Sequence, residues 1–302
     1  MRAGILQMDT GCFKEKYMFL IITGIILVLG MVLFAVMLYD SNRFVIVNYQ
    51  VRSSKIRQKT RAVLLADLHN KEYGHQNFRL LDAVDAAGPD IILCAGDMIT
   101  SVEGISMVPA QEFVQTLAEK YPFYYANGNH EHRIYRQPDD YGMMGEQYRG
   151  FLKSCDIVLL ENERILLPDR GIEIIGLDLP KCWYKKFKTP LMTKKEIESI
   201  VKIPQSNTFS ILLAHNPVYF DAYAAWGADL VLSGHVHGGV MRLPFLGGVL
   251  STAFTLFPKY DGGLFEKSGS RMIVSRGLGS HTIPVRVFNP AELVVIDILP
   301  EE

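Results

Sequence analysis

The chain has 302 residues, a formal net charge of −1, and 49% hydrophobic and 21% charged residues. That is the make-up of an ordinary globular chain of one large or two small domains. The near-zero charge excludes a global basic field that would gather nucleic acid, so no dedicated nucleic-acid-binding module is expected.

The first predicted element is a membrane span. Tyr17 to Tyr39 run 23 residues without a charge, with Thr23 the main polar interruption. About 20 apolar residues cross the hydrocarbon core as a helix. A buried soluble helix of this length would show a polar stripe. A cleavable signal peptide has an apolar region of about 7 to 15 residues followed by a small-residue cleavage site. Residues 17–39 therefore read as an uncleaved signal anchor and residues 1–16 as its flank, which makes a single-pass protein of the cell membrane. Arg2, Lys14 and Lys16 precede the span, while Arg43, Arg52, Lys55 and Arg57 follow it, so the positive-inside rule selects neither orientation. Met8 and Met18 are alternative starts, and a start at Met18 would remove the leading cations and favour a cytoplasmic catalytic domain. Cys12, Cys94, Cys155 and Cys182 show no paired spacing, and Cys94 reads as a packed thiol. Cys12 precedes the apolar run, so it does not read as a lipoprotein acylation site.

Residues 44–51 alternate like a strand and 52–61 are a basic connector, giving a strand-and-connector stretch at 40–59 and one catalytic domain at 60–302. Within that domain, strands are predicted at 62–66, 91–95, 123–126, 172–177, 209–214, 230–232, 272–275 and 293–298. Helices are predicted at 76–87, 110–120, 146–154 and 194–201. The alternation argues for an α/β fold, and no internal repeat or low-complexity linker divides it.

Five polar clusters follow strand-like runs: Asp67-Leu68-His69, Gly96-Asp97, Gly128-Asn129-His130-Glu131, His215-Asn216, and Gly234-His235-Val236-His237-Gly238-Gly239. Ligands of α/β sheets bind in the crevice outside the carboxyl ends of the strands, so these clusters can converge on one site. Singly, each has a plain structural reading as a turn or a hydrogen-bonded histidine. At i and i+2 of an extended segment, Asp67 and His69 would project to one side, as would His235 and His237. The donors are imidazole, carboxylate and amide oxygen without thiolate, which suits Mn²⁺, Fe or Zn²⁺ in a catalytic site. Two carboxylates and four imidazoles exceed what one ion takes, so two divalent metal ions are expected, with Mn²⁺ preferred and Fe or Zn²⁺ as alternatives. Two metals about 3.5 to 4 Å apart suit in-line attack at phosphorus.

In that order the five clusters resemble the calcineurin-like metallophosphoesterase superfamily, over roughly residues 60–300. The tail Ser275-Arg276-Gly277-Leu278-Gly279, Pro284-Val285-Arg286 and Pro290-Ala291-Glu292 is similar to the YaeI/YkuE-like bacterial branch, whose members often carry an N-terminal membrane or export segment. The resemblance implies a four-layer α/β/β/α sandwich of two mixed sheets. It implies that Asp67, His69 and His237 hold one metal, that Asn129, His215 and His235 hold the other, and that Asp97 bridges them. His130 would then sit over the scissile phosphate as the catalytic acid, and Glu131 would support the site without ligating. His75, His132 and His281 fall outside the motif and read as solvated or structural. Thr100 stands where purple acid phosphatases place a Tyr, and Met98-Ile99-Thr100-Ser101 departs from the Val-Asp-Arg-Gly type sequence of Ser/Thr protein phosphatases. Both subfamilies are disfavoured.

Residues 240–265 are rich in Phe and Leu. Core is the default reading, and an apolar wall beside the metals is the functional one, favouring an amphiphilic phosphoester or pyrophosphate at the bilayer surface. Arg242, Arg276 and Arg286 are candidates for phosphate contact. The expected activity is a dinuclear-metal phosphodiesterase or phosphatase. Related proteins that hydrolyse UDP-diacylglucosamine suggest a lipid-linked nucleotide pyrophosphate as substrate. A non-catalytic membrane-tethered scaffold and a nuclease are the competing classes, weakened respectively by the intact ligand set and by the absence of a basic surplus.

Overall fold

Short, β-branched, apolar runs separated by amphipathic helices build two sheets. The computed structural model describes residues 10–187, 189–280 and 285–301, with the side chains of 10–15 left aside. Met1, Arg2, Met8, His281 and Pro284 lie outside the described residues, as do the side chains of Cys12 and Lys14. The chain opens with α1 (Thr10–Ser41), β1 (Phe44–Ser53), β2 (Thr60–Leu65), α2 (Phe78–Ala87), β3 (Ile91–Cys94), α3 (Val108–Ala118) and β4 (Phe123–Tyr125). Three helices follow, α4 (Asn129–Arg136), α5 (Pro138–Tyr141) and α6 (Met144–Ser154), then β5 (Val158–Leu159), β6 (Arg164–Leu167) and β7 (Ile172–Leu177). Next come α7 (Lys194–Glu198), β8 (Phe209–Ala214), α8 (Phe220–Trp226) and β9 (Leu230–Ser233). The chain ends with β10 (Arg242–Leu243), β11 (Gly247–Gly248), β12 (Gly263–Lys267), β13 (Ser270–Val274) and β14 (Ala291–Pro300).

One sheet has the order β1-β14-β2-β3-β4-β5 and the other β12-β13-β9-β8-β7-β6, with β10 and β11 a separate hairpin. In the first sheet β2, β3, β4 and β5 are parallel, and β14 runs against β2. In the second, β13, β9, β8 and β7 are parallel, and β12 and β6 run against them at the edges.

The period-2 alternation of β2 sorts its side chains between layers. Ala62, Leu64 and Ala66 pack against Ile174, Ile211, Leu213 and Leu232 of the second sheet. Val63 and Leu65 face Leu80, Val84, Phe113 and Leu117 of α2 and α3. The outer face of the second sheet is covered by Phe220, Tyr223 and Trp226 of α8 and by Ile197 of α7. This is the four-layer α/β/β/α sandwich. Each fully buried Leu, Ile or Val contributes about 1.5–3 kcal/mol, so the parallel strands are fixed rods whose carboxyl ends hold their loops in place.

The expected strands form, 172–177 and 209–214 with the expected bounds and the rest with ends shifted by at most two residues. The helix expected at 76–87 is interrupted, because Gln76 and Asn77 take φ of 52° and 59° and only α2 proper continues. α8 was not expected: its sequence is buried nearly all round, so it carries no amphipathic stripe. Residues 40–59, read as strand and connector outside the domain, contribute β1 to the first sheet, where Phe44 opposes Ala291. That pairing partner lies at the other end of the chain, beyond the reach of a local pattern. The core reading of 240–265 is corrected too. Phe245, Leu246, Leu256 and Phe257 are exposed, because residues 240–257 turn back on themselves beside the cavity before β12 joins the second sheet.

α1 presents apolar side chains to the outside along its length. Its stretch Lys16–Ser41, 26 residues, is long and apolar enough to cross a membrane. The end of α1 is locked onto the domain. Asp40, 2% exposed, accepts from the Asn289 N–H at 3.2 Å, and Ser41 Oγ accepts from the Arg286 N–H at 3.3 Å.

Candidate metal centre

All five clusters stand just past strand carboxyl ends. Asp67 and His69 follow β2, Asp97 follows β3, Asn129 and His130 open α4 after β4, His215 follows β8, and His235 and His237 follow β9. The loops are stitched to one another by backbone bonds. The Asp67 N–H donates to Gly96 O (2.9 Å) and the His69 N–H to Asp97 O (3.1 Å). Across the sheets, the His235 N–H donates to Asp67 Oδ2 at 2.9 Å. Gly96, at φ 91°, lies so close to the Asn127–Gly128 backbone that a Cβ would have no room there. That contact lets the Asp97 and Asn129 loops run side by side.

One geometric expectation is corrected. Asp67, His69, His235 and His237 do not lie on extended segments: their φ values are 54°, 49°, 71° and 51°. The left-handed region costs a non-glycine residue roughly 1–3 kcal/mol, and the bonds between loops hold the residues in it. The pairs still converge, through turn geometry instead of strand alternation.

The donor atoms gather into overlapping trios, each within 4.8 Å: Asp67, His69 and His237; Asp97, His215 and His235; and His69, Asp97 and His130. His69 Nε2 and His237 Nε2 are 3.3 Å apart, and His215 Nε2 is 3.0 Å from Asp97 Oδ2. Asn129 is 5% exposed, and its buried Oδ1 accepts no hydrogen bond from the described residues. An unsatisfied buried carbonyl is costly unless a cation meets it. Hard oxygen donors, imidazoles and an unsatisfied amide oxygen together fit divalent ions.

Hydrogen bonds to the ring nitrogens sort the histidines by role. A carbonyl only accepts, so Nδ1 of His215 donates to Ala95 O (2.6 Å) and Nδ1 of His237 to Gly279 O (3.2 Å). With Nδ1 engaged in this way, each ring in its neutral form would turn an Nε2 lone pair toward the centre, the orientation that suits a ligand. His130 is the reverse. The Ser101 N–H donates to its Nδ1 at 2.7 Å, which leaves the proton on Nε2, 3.9 Å from Asp97 Oδ2. Ser101 was not singled out from sequence. Its backbone N–H, which residue type does not reveal, acts beside its Oγ, 2.8 Å from the same Nδ1.

Burial and mutual charge set the protonation states. Burial alone would raise the Asp97 carboxyl, but the His215, His130 and His69 imidazoles outweigh it and hold Asp97 well below the usual carboxylate range. Burial pushes Asp67 up to about 7 against the pull of His215. His215, despite burial, is pushed up to about 9 by Asp97 and Asp67. Burial and then the Arg286 charge take His237 down to about 3. Glu131, fully buried, is not in the ligand trios. It accepts from the N–H groups of Asp97 (2.8 Å), Met98 (2.9 Å) and Gly128 (2.9 Å) and from the Tyr125 hydroxyl (2.7 Å). Of the histidines outside the motif, His75 is exposed and His132 pairs with Asp178 at 2.9 Å.

A cavity of about 550 Å³ opens from His69, Asp97, Asn129, His130, His235 and His237. Trp183, Tyr184, Met192, Tyr219 and Tyr260 form its apolar wall, and Arg133, Lys185, Lys186 and Lys259 add cations. The three arginines proposed for phosphate contact are engaged elsewhere. Arg242 pairs with Asp261 (3.1 Å) and Arg276 with Glu292 (2.7 Å). Arg286 is buried and donates to the carbonyls of Arg276 (2.8 Å) and Gly277 (3.2 Å). Sequence alone cannot separate an arginine that braces a loop from one that faces a ligand.

Known proteins give an independent comparison. Over 253 residues the chain is 29% identical to a Helicobacter pylori protein described as an uncharacterized metallophosphoesterase, covering 82% of this chain and 62% of that one. It is 28% identical over 224 residues to phosphodiesterase YaeI of Escherichia coli, covering 72% and 74% respectively. A Danio rerio transmembrane protein with a metallophosphoesterase domain is 26% identical over 301 residues, covering 95% of this chain and 63% of that one. The chain thus spans about three fifths of the Helicobacter relative. Residues 60–239, more than half of the chain, match the calcineurin-like phosphoesterase family, and the chain belongs to it.

Proposed function

We propose that the chain is a phosphodiesterase or phosphatase working with two divalent metal ions and held at a membrane by residues 17–39 of α1. The convergence of the two donor trios around Asp97, with Asn129 Oδ1 buried and unsatisfied, carries this reading. Asp67, His69 and His237 hold one ion, Asn129, His215 and His235 the other, and Asp97 serves both. Mn²⁺ is the preferred occupant, with Fe or Zn²⁺ as alternatives. Bound divalent ions supply positive charge that favours in-line attack at phosphorus.

The protein's own contribution to the chemistry is a proton and a charged wall. His130 holds a proton on Nε2 through its bond from Ser101 and delivers it to the leaving oxygen. Arg133, beside His130 on α4, and the cavity lysines offset phosphate charge, while Trp183, Tyr184 and Tyr260 take an apolar portion. This favours an amphiphilic substrate, a lipid-linked or nucleotide pyrophosphate. The similarity to a protein named as a phosphodiesterase supports a diester over a monoester.

The test is hydrolysis of a chromogenic bis-phosphodiester and of a lipid-linked nucleotide pyrophosphate by the full chain in detergent with Mn²⁺. Turnover is expected in the parent protein and absent in Asp97→Asn. No metal-dependent turnover on any phosphoester would overturn the reading in favour of a tethered scaffold.

A further inference from the structure

The end of α1 and the loop carrying His237 are joined by one short segment. The backbone N–H of Asn289 donates to Asp40, and its Nδ2 donates to the carbonyls of His237 (2.8 Å) and Gly239. The Arg43 guanidinium lies 4.6 Å over the ring of Tyr39, the aromatic-and-cation pairing that suits a membrane boundary. Only Asn42 and Arg43 separate α1 from β1, so no flexible linker lets the domain drift from the helix. The polar end of the apolar helix is therefore fixed next to the metal-ligand loop.

The same segment supports an exposed apolar patch. Val287 is bridged to Met241 and accepts from the Arg242 N–H at 3.0 Å, so the β10–β11 hairpin springs from beside Arg286 and Phe288. A second turn continues it, closed by the bridge between Leu250 and Leu256. Phe245 is 108% exposed, Leu246 62%, Leu256 66%, Phe257 51% and Phe288 49%. Phe245, Phe257 and Phe288 hold φ of 65°, 47° and 52°, turn positions that normally fall to Gly or Asn. A bulky residue there is strained, and in water it would merely display an aromatic ring. Within the headgroup and acyl boundary the same rings regain burial.

The geometry points to a second membrane contact: the β10–β11 hairpin, the 254–257 turn and Phe288 seat in the lipid surface beside α1, and the cavity of the metal centre opens at the bilayer. This rests on the reading of α1 as a membrane span. The occupant is lipid because the patch is continuous, through Asn289 and Val287, with the residue at which the apolar helix ends.

The experiment uses the full chain in phosphatidylcholine–phosphatidylglycerol vesicles with and without brominated acyl chains. Three variants are compared with the parent, whose Trp183 and Trp226 give a common background. They are Leu29→Trp in α1, Phe245→Trp in the hairpin, and Leu166→Trp, which faces Glu173 near the amino end of β7, away from the site. Leu29→Trp and Phe245→Trp are expected to be quenched and Leu166→Trp not. Quenching of Leu29→Trp alone would overturn the inference and leave the patch to a protein partner, with the span intact. No quenching of Leu29→Trp would overturn the span and the inference together. Because quenching needs no substrate, it reads the contact whatever the chain hydrolyses. A second variant, Phe245→Glu with Leu256→Glu, should turn over a soluble diester normally and a vesicle-borne phosphoester about tenfold more slowly. Equal turnover of the two would count against the inference.

Discussion

The backbone N–H of Ser101 donates to Nδ1 of His130 at 2.7 Å, and that bond separates His130 from the histidines around it. His215 and His237 spend their Nδ1 on carbonyls, so in the neutral form each would turn an Nε2 lone pair inward, whereas His130 turns an N–H inward. His130→Ala should therefore lower kcat by about 10²–10⁴ without changing the number of bound ions. The loss should shrink as the leaving group becomes a weaker base, since such an oxygen departs without a proton. Kinetics on a series of aryl esters, with metal content measured in parallel, checks both. A loss of bound metal in this variant would make His130 a ligand instead.

Asp97 and His69 should fail in different ways. His69 gathers with Asp67 and His237 and also nears Asp97, whose Oδ2 lies 3.9 Å from His69 Nε2 and 3.0 Å from His215 Nε2. His69→Ala should lose one ion per chain and Asp97→Asn should lose both, measured by elemental mass spectrometry after dialysis. Equal losses would remove the argument for a shared carboxylate.

Metal removal should also change how stability depends on pH. The pKa of His215 rises from its ordinary value near 6.5 to about 9 through Asp97 and Asp67. Stability from this raised pKa is complete below about 6.5 and is lost as pH climbs through about 9. Asp67, at about 7, also loses its contribution as pH rises. His237, at about 3, works the other way, but only below 6.5. Above pH 6.5 these groups give losses alone, so Tm of the chelator-treated protein should fall between pH 6.5 and 9. The loaded protein should be flatter there, because liganding imidazoles are already neutral and liganding carboxylates already ionised. Calorimetry of both forms decides it, and a rising Tm in the metal-free protein would show that His215 is not the charged group.

Glu131 is a stability residue within the candidate site. Its carboxylate collects three backbone N–H groups and a hydroxyl while fully buried. Glu131→Gln keeps the shape but turns an N–H₂ toward donors, leaving buried groups unpaired at about 1–3 kcal/mol each. A drop in Tm of several degrees, with residual turnover retained under folding conditions, is expected.

The site was legible in sequence because each cluster combined two signals, a buried apolar run and a polar group at its end. Those signals depend only on neighbours in the chain. What escaped depends on distant contacts. The left-handed φ of Asp67 and His69 is imposed by bonds to the Gly96 and Asp97 carbonyls, so a spacing rule for extended chain placed the pair correctly for the wrong reason. Ser101 meets His130 through its backbone N–H as well as its Oγ, and Arg286 braces carbonyls where its residue type offers it to phosphate. β1 was read as a strand but placed outside the domain, because its partner, β14, lies at the far end of the chain.

Asn289 is the residue where the end of α1 and the candidate metal centre meet. It is fully buried, bonds Asp40 through its backbone and holds the His237 and Gly239 carbonyls through Nδ2. Asn289→Ala would keep the bond to Asp40 and release the two carbonyls, freeing the loop that aims His237. Support of this kind is worth about 10–100-fold in metal affinity, so the ion held by Asp67, His69 and His237 should weaken by that factor. The ion at Asn129, His215 and His235 should be little affected, since none of those residues touches Asn289 through its side chain amide. Competition with a chelator of known affinity would resolve the two classes of site. Uniform weakening of both ions would mean that the variant perturbs the whole centre, and that Asn289 does not act through His237.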